Sequence, residues 1–374
     1  MYKNIEKYPD LWEYLKDTDK KIVLYGMGNG ADKIISVAER YGIEISDFFA
    51  SDGFVRGHFF HGKRVLSYSE TKEKYGAGNI IVLLSFASSL PEVLENIYKI
   101  ADECELYAPD VPVYGDEIFN FEFYTKNLDK INEARALFSD DESRRIYDNI
   151  IKYKLYGKIS YLRDAESSLD ECYCDILEAD KIKVSADLGA YNGDSIRELL
   201  KYASNLERVV AFEPDRRNFK KLCDWASGID GVEIITQNLG AWSGRETLYF
   251  DGSGNRNASM TQNTSAFSDA INQRKKKIIE VEADSLDNIL CGGGVDYIKY
   301  DVEGSEYEAL CGSAETIRKY SPSLLVSLYH RSADIFSLTL FIKEMNPEYS
   351  LYLRRFRYIP AWDINLYAVK KSLE

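Results

Sequence analysis

The chain has 374 residues, with 61 acidic and 47 basic side chains and a formal net charge of −14. This excess of negative charge argues against a nucleic-acid-binding protein, because phosphate contacts need clustered Lys and Arg. The length suggests two or three domains, and an apolar content of 45% excludes wholesale disorder. We therefore expect a globular protein.

The cysteines and the apolar stretches indicate where the protein resides. Six Cys are spread along the chain without the spacing of a metal site, as expected for reduced thiols. The longest apolar stretch, 80–86, is far shorter than the roughly 20 residues of a membrane span. No apolar signal region is seen at the N-terminus. We predict a cytoplasmic protein with no membrane partner; its oligomeric state stays open, and a homodimer is compatible with the sequence.

The first unit alternates strands and helices. A buried strand at 22–25 runs through GMGNGA into a helix at 32–40, and these glycines fit the loose pattern G-x-G-x-x-A. The second strand ends near Asp52, where a Rossmann unit often keeps its ribose acid. We predict a Rossmann-like α/β domain over 1–110. The glycines indicate either nucleotide or sugar-nucleotide binding, or only a tight turn in a scaffold; we favour the scaffold.

Residues 111–180 are predicted to be a helical connecting segment. Charged residues alternate there with Tyr, Leu and Ile at helical spacing, as in ESRRIYDNIIKYKLY. Ser139 or Asp140 is the expected cap of this helix.

The second unit opens with a glycine loop. A strand at 183–188 runs into DLGAYNGDS, where Gly189 and Gly193 allow the backbone to approach a ligand. Asp187 either holds a cationic amine or orders the loop. The next strand ends in Glu213, the position from which a carboxylate binds ribose hydroxyls in an α/β nucleotide site.

Polar and acidic residues follow the later strands. Asn238 comes after the third strand, where it can meet an adenine edge. Asp301, Glu303 and Glu306 follow a strand at 295–300. Because ligands bind at the carboxyl ends of parallel strands, we expect Asp301 and Glu303 to be functional. We interpret Glu306 as a solvated acid in the first turn of a helix.

His330 follows a strand at 323–329. A neutral imidazole beside the acids can take a proton from a substrate hydroxyl, but a hydrogen-bonded structural His is an equal alternative. The three acids could instead hold a divalent metal through oxygen ligands; we favour a site without metal. Strands at 349–356 and 364–370 are expected to form an antiparallel pair at the sheet edge.

The second unit resembles a known family. DLGAYNGDS, AFEPDRRNFKKL, QNLGAWSG, VEADSLDNIL, VDYIKYDVEGSEYEALCG and SPSLLVSLYH, in this order, resemble the S-adenosylmethionine-dependent methyltransferases of the FkbM type. The resemblance implies a class I methyltransferase domain over 181–374, with a seven-stranded sheet and a reversed final hairpin. It also implies S-adenosyl-L-methionine as cofactor and methyl transfer to a hydroxyl of a sugar, glycan or natural-product small molecule. GMGNGAD loosely resembles a bacterial subset that carries an extra N-terminal Rossmann-like domain.

The resemblance also implies roles for single residues. The cofactor-binding set comprises Asp187, Gly189, Tyr191 and Gly193 in the methionine-side loop, Glu213 at the ribose, Asn238 at the adenine and Asp301 beside the methyl group. The family often has Asn in place of Tyr191. From the chemistry of methyl transfer, and not from the resemblance, we expect a catalytic set with His330 or Asp301 as base and Glu303 as the residue that orients the acceptor. The polar stretch 251–269 is predicted to cover the acceptor pocket.

Two other functions stay open. A nicotinamide-dependent dehydrogenase would use the GMGNGA turn of the N-terminal unit. A non-catalytic assembly protein would bind the cofactor without turnover.

Overall fold

The computed structural model describes residues 9–251, 260–261 and 278–370. The stretch 251–269, predicted to cover the acceptor pocket, lies outside these residues except at 251 and 260–261. No helix among the described residues is long and apolar enough to cross a membrane. A cytoplasmic location stays a prediction.

The N-terminal part folds around a parallel five-stranded sheet with the order β5-β2-β1-β6-β7. Its strands are β1 (Lys21–Tyr25), β2 (Ile45–Ala50), the hairpin strands β3 (Phe59–Phe60) and β4 (Lys63–Arg64), β5 (Leu66–Ser67), β6 (Ile80–Leu84) and β7 (Glu105–Tyr107). Its helices are α1 (Leu11–Lys16), α2 (Asn29–Tyr41), α3 (Tyr68–Tyr75) and α4 (Pro91–Glu103). Every residue of β6 is buried, as expected for a strand covered on both faces.

Four helices connect the two sheets: α5 (Phe121–Lys126), α6 (Leu128–Ala136), α7 (Asp141–Tyr156) and α8 (Ser160–Arg163), followed by a π-helical turn at Glu171–Ile176. Asp140 caps α7, because its carboxylate accepts a hydrogen bond of 2.7 Å from the amide of Ser143. Asp140 and Glu171 also both bind the buried guanidinium of Arg354 at 2.7 Å, which ties this segment to the C-terminal part.

The C-terminal part contains a seven-stranded sheet with the order β10-β9-β8-β15-β16-β18-β17, in which β18 is antiparallel to both neighbours. The strands are β8 (Val184–Leu188), β9 (Arg208–Phe212), β10 (Glu233–Gln237), β11 (Gly240–Ala241), β12 (Glu246–Asp251), β13 (Met260–Thr261), β14 (Ile278–Asp284), β15 (Tyr297–Tyr300), β16 (Ser323–Ser327), β17 (Ser350–Arg355) and β18 (Ile364–Val369). The helices are α9 (Asp194–Leu199), α10 (Arg216–Ala226), α11 (Leu286–Leu290), α12 (Glu306–Cys311), α13 (Ala314–Tyr320) and α14 (Asp334–Met345). β11 to β14 form a separate small sheet. The α/β fold with a reversed final hairpin is confirmed.

The outer edge of β17 is covered by the chain segment 138–143. The amide of Ser139 donates to the carbonyl of Leu351 at 2.8 Å, and the Ser139 hydroxyl accepts from the Leu351 amide at 3.0 Å. The Ser143 hydroxyl accepts from the amide of Leu353 at 2.9 Å. The connecting segment therefore satisfies backbone groups that an edge strand would otherwise expose.

One apolar core extends from the N-terminal sheet through the connecting helices to the C-terminal sheet. It includes Val82 of β6, Ile150 of α7 and Leu353 of β17, all of which are fully buried. The division into domains at 1–110, 111–180 and 181–374 stays a prediction.

Candidate functional site

A cavity of about 480 Å³ opens at the carboxyl ends of β8, β9, β15 and β16. These strands are parallel, so their ends meet at one edge of the sheet, where α/β proteins bind ligands. Five of the predicted site residues line the cavity: Gly189, Tyr191, Glu213, Asp301 and Glu303. Asp187, Gly193, Asn238 and His330 lie behind its wall.

Gly189 brings two strand ends into contact. It has a φ of +93°, and a Cβ at this position would lie 1.9 Å from the carbonyl oxygen of Asp301. A side chain is therefore excluded both by the backbone conformation and by the neighbouring strand. The close approach places the loop after β8 directly beside the acidic end of β15.

Glu213 joins the glycine loop to the end of β9. Its side chain is nearly buried and accepts hydrogen bonds of 2.8 Å from the amides of Tyr191 and Asp215. Burial raises the pKa of Glu213 to about 8, although the two amides act to lower it. The carboxylate sits at the cavity wall, where it could accept hydrogen bonds from a ligand.

Lys299 is a cavity residue that the sequence reasoning missed. Its ammonium lies 3.2 Å from Oδ1 of Asp187 and donates to the carbonyl oxygen of Gly189 at 3.2 Å. The hydroxyl of Ser195 donates to the other Asp187 oxygen. Asp187 is thus bonded inside the protein and orders the loop through these partners. The available signal was a lysine in a short, otherwise apolar strand.

Gly193 and Asn238 support the cavity wall from behind. Gly193 has a φ of +86° and precedes α9, and a Cβ there would meet the ring of Trp225 at 2.3 Å. The side-chain amide of Asn238 donates to the backbone carbonyls of Glu213 and Pro214 at 2.8 and 3.1 Å. Asn238 therefore fixes the turn that carries Glu213.

The acidic end of β15 surrounds His330. Asp301 and Glu303 each keep 32% of their side chains exposed, and each has an oxygen 3.5 Å from Nε2 of His330. His330 itself is fully buried, and its Nδ1 lies 2.8 Å from Oε1 of Glu306. The interpretation of Glu306 as a solvated acid is wrong: its side chain is 1% exposed because α12 turns it inward against His330.

The charged groups in this cluster shift one another's pKa values. Burial alone would lower the pKa of His330, but the carboxylates of Glu306, Glu303 and Asp301 raise it to about 10. Burial also acts to raise the pKa of Asp301, yet Lys299 and His330 hold it below its usual value. For Glu303, burial dominates and raises the pKa to about 8. The cluster therefore favours a positive charge at its centre.

The connecting segment reaches this cluster. The amide of Tyr114 donates to the carbonyl of His330 at 2.9 Å, and the guanidinium of Arg331 lies over the Tyr114 ring at 4.2 Å. A Cβ at Gly304 would meet Cβ of Tyr114 at 2.8 Å. Residues from outside the C-terminal sheet thus help to set the position of His330.

Local packing accounts for the glycine turn of the N-terminal unit. A Cβ at Gly26 would lie 2.5 Å from the ring of Phe86, and one at Gly30 would lie 2.2 Å from the carbonyl oxygen of Ser85. The carboxylate of Asp52 is bonded to the amide and hydroxyl of Ser69 at 2.9 and 2.7 Å. These contacts favour the scaffold role and weaken the dehydrogenase alternative, for which the turn was the only support.

The strand order and the reversed final hairpin define a class I methyltransferase fold. Residues 187–360 match the Methyltransferase FkbM domain. The resemblance expected from the sequence motifs is confirmed. A comparison with curated proteins gives no match.

Solved structures with related folds extend the comparison. Methyltransferase FkbM from Methylobacillus flagellatus KT is 19% identical, with a TM-score of 0.67, over 93% of this chain and 90% of that chain. An rRNA methylase from Streptococcus thermophilus is 12% identical, with a TM-score of 0.34, over 53% and 93% of the two chains. Fibrillarin from Aeropyrum pernix, solved with natively bound S-adenosyl-L-methionine, is 13% identical, with a TM-score of 0.31, over 50% and 66%.

S-adenosyl-L-methionine is the cofactor that this domain implies. The cavity residues fit it: Glu213 presents a carboxylate suited to ribose hydroxyls, and Gly189, which has no side chain, lines the cavity beside it. The acidic wall also suits the positive charge of a sulfonium group.

Proposed function

We propose that this domain transfers the methyl group of S-adenosyl-L-methionine to a hydroxyl oxygen of a sugar, glycan or natural-product small molecule. The observation that carries the proposal is the pair of half-exposed carboxylates, Asp301 and Glu303, on the cavity wall beside Gly189. They stand where an acceptor hydroxyl would need a proton acceptor.

The cofactor is assigned to the β8 and β9 side of the cavity. Glu213 would accept hydrogen bonds from the ribose hydroxyls, and the loop of Gly189 and Tyr191 would hold the methionine side. Asp187 and Asn238 act indirectly, because the first fixes the loop through Lys299 and the second fixes the turn after Glu213. When bound, the cofactor supplies a methyl group on a positively charged sulfur.

The transfer would form a bond between the acceptor oxygen and the methyl carbon while the carbon–sulfur bond breaks and its electron pair stays on sulfur. The hydroxyl proton passes to a carboxylate, for which Asp301 and Glu303 are the candidates on the wall. His330 lies behind both of them and does not reach the cavity. We therefore assign His330 a positioning role rather than direct proton transfer. Holding the oxygen in line can lower the barrier by about 7–11 kcal/mol in well-oriented systems.

Aromatic residues beside the carboxylates support a neutral acceptor that contains a ring, and the hydroxyl of Tyr329 donates to Asp301 at 3.0 Å. The rings of Tyr329 and Trp362 are 6.3 Å apart at 23°, and those of Tyr358 and Trp362 are 5.9 Å apart at 25°. All three residues line the cavity. Aromatic faces bind the apolar faces of sugar rings and polycyclic compounds, whereas the carboxylates would repel a polyanion.

The test uses full-length protein with methyl-labelled cofactor and a panel of sugars and polyhydroxylated natural products. We expect one labelled methyl group on a hydroxyl oxygen, located by fragmentation mass spectrometry. Asp301→Asn should keep calorimetric cofactor binding but lose turnover by about 10²-fold or more. Label found on nitrogen or carbon would overturn oxygen transfer. Cofactor binding without any labelled product would support the assembly-protein alternative.

A further inference from the structure

Four carboxyl groups gather around His330, at the cavity wall and behind it. The carboxylates of Asp301, Glu303 and Glu306 surround His330. Asp334 is buried nearby, and its carboxylate accepts a hydrogen bond from the backbone amide of Arg331. Carboxylates removed from water are costly unless they are paired or bind a metal.

The neighbouring cations are engaged elsewhere. Lys299 approaches Asp301 to 3.8 Å but lies closer to Asp187, at 3.2 Å. The guanidinium of Arg331 donates to the carbonyl of Gly304 at 2.8 Å and stacks on Tyr114. Among the described residues, neither Glu303 nor Glu306 has a lysine or arginine within ion-pair distance, and both face His330.

Buried atoms without hydrogen-bond partners point into the cluster. Among the described residues, neither ring nitrogen of the fully buried His330 has a hydrogen-bond partner, and neither does Oε2 of Glu306. The 2.8 Å contact between Nδ1 and Oε1 of Glu306 is an ion pair, and this oxygen also accepts hydrogen bonds from the backbone amides of Val302 and Gly304 at 3.0 and 3.4 Å, which leaves Oε2 unpartnered. Such groups are normally satisfied by a partner, so they indicate a ligand.

We propose that Asp301, Glu306 and His330 bind a divalent metal ion. One donor atom from each of these residues lies within 4.8 Å of the other two. The binding itself does not rest on the proposed methyl transfer. The sequence favoured a site without metal, whereas the burial of Glu306 against His330 favours a metal site.

The donor set indicates the class of metal. Two carboxylates and one imidazole form a mixed oxygen and nitrogen set, which suits first-row ions such as Mn²⁺ better than purely oxygen-seeking ions. Glu303 has an oxygen 3.5 Å from Nε2 of His330 and could supply a further carboxylate ligand. Because Asp301 and Glu303 line the cavity, a bound ion would lie beside an acceptor hydroxyl and favour its ionised form; this second role does rest on the proposed function.

The experiment measures binding of Mn²⁺ alone to full-length protein that has been treated with a chelator and dialysed. Electron paramagnetic resonance of free Mn²⁺ and calorimetry should give one ion per chain with micromolar affinity. Glu306→Gln and His330→Gln should each weaken binding by at least about tenfold. Glu315→Gln, which removes an exposed acid from α13, is the matched control and should bind as the wild type does.

Two results would overturn the site. One is wild-type protein that binds no Mn²⁺ at about 1 mM, the weak end of specific affinity, because the imidazolium of His330 would then be the cation that the carboxylates hold. The other is unchanged binding in both Glu306→Gln and His330→Gln. The wild-type stoichiometry does not depend on whether a variant folds. A separate calorimetric titration with S-adenosyl-L-methionine tests the cofactor assignment, so failure of one hypothesis is distinguishable from failure of the other.

Discussion

Replacement of Gly189 by Ala tests whether the contact between the β8 loop and the end of β15 builds the cofactor site. The new Cβ would stand 1.9 Å from the Asp301 carbonyl oxygen, so the two backbones must separate by more than 1 Å. Asp301 would move with its backbone, away from the loop that is proposed to hold the methionine side of the cofactor.

The energetic cost can be worked out from two contributions. A φ of +93° costs a residue with a side chain about 1–2 kcal/mol. Separation also stretches the 3.0 Å hydrogen bond from the Asp301 amide to the Leu188 carbonyl, worth about 1 kcal/mol. Steric strain adds to both, so we expect a loss of about 3–4 kcal/mol in the free energy of unfolding. For a domain of about 150–250 residues the melting temperature should fall by roughly 6–16 °C.

The assay is thermal unfolding followed by calorimetric titration with S-adenosyl-L-methionine. Gly244→Ala is the control, because a Cβ there would meet no described atom within 4 Å and the backbone is not left-handed. It should change stability by no more than about 1 kcal/mol. If Gly189→Ala melts and binds cofactor like Gly244→Ala, the close approach of the two strand ends is not what builds the site.

Three further results are expected. Cofactor affinity should fall as pH drops below about 8, the raised pKa of Glu213, because protonation removes an acceptor for ribose hydroxyls. The variant Glu213→Gln should bind the cofactor weakly at every pH. A wild-type affinity that does not change with pH would contradict this prediction. Arg354→Met should destabilise the fold by about 3–5 kcal/mol in chemical denaturation, since it leaves Asp140 and Glu171 without their shared cation; a loss below about 1 kcal/mol would refute that role. Lys299→Met should weaken calorimetric cofactor binding by about tenfold through the loosened glycine loop, and an unchanged dissociation constant would argue against it.

The strand ends of the second unit were predictable because each has a local signature. A short apolar strand followed by Gly, Asp or Glu marks the carboxyl edge of a parallel sheet, and on this basis Glu213, Asp301 and Glu303 were expected together. The structure brings all three to one cavity. Their chemical roles stay proposals.

The contacts of the buried residues Glu306 and Asp187 were not predictable by the same reasoning. An acid in the first turn of a helix is usually solvated, and only the packing of α12 against His330 turns Glu306 inward. Asp187 was expected at the ligand, but its partner Lys299 comes from a strand more than one hundred residues later in the chain. Such pairings depend on which strands become neighbours, and periodicity within one strand carries no information about them.

The cover that residues 138–143 provide for β17 has a practical consequence for work on fragments. The region that matches the FkbM domain begins only at residue 187, which invites expression of the C-terminal part alone. Such a fragment would display the unpaired amides and carbonyls of a long edge strand, together with apolar side chains of the shared core. Exposed edge strands of this kind pair with strands of other molecules. A fragment that begins near residue 181 should therefore aggregate, whereas one that retains the connecting helices keeps its sheet edge closed.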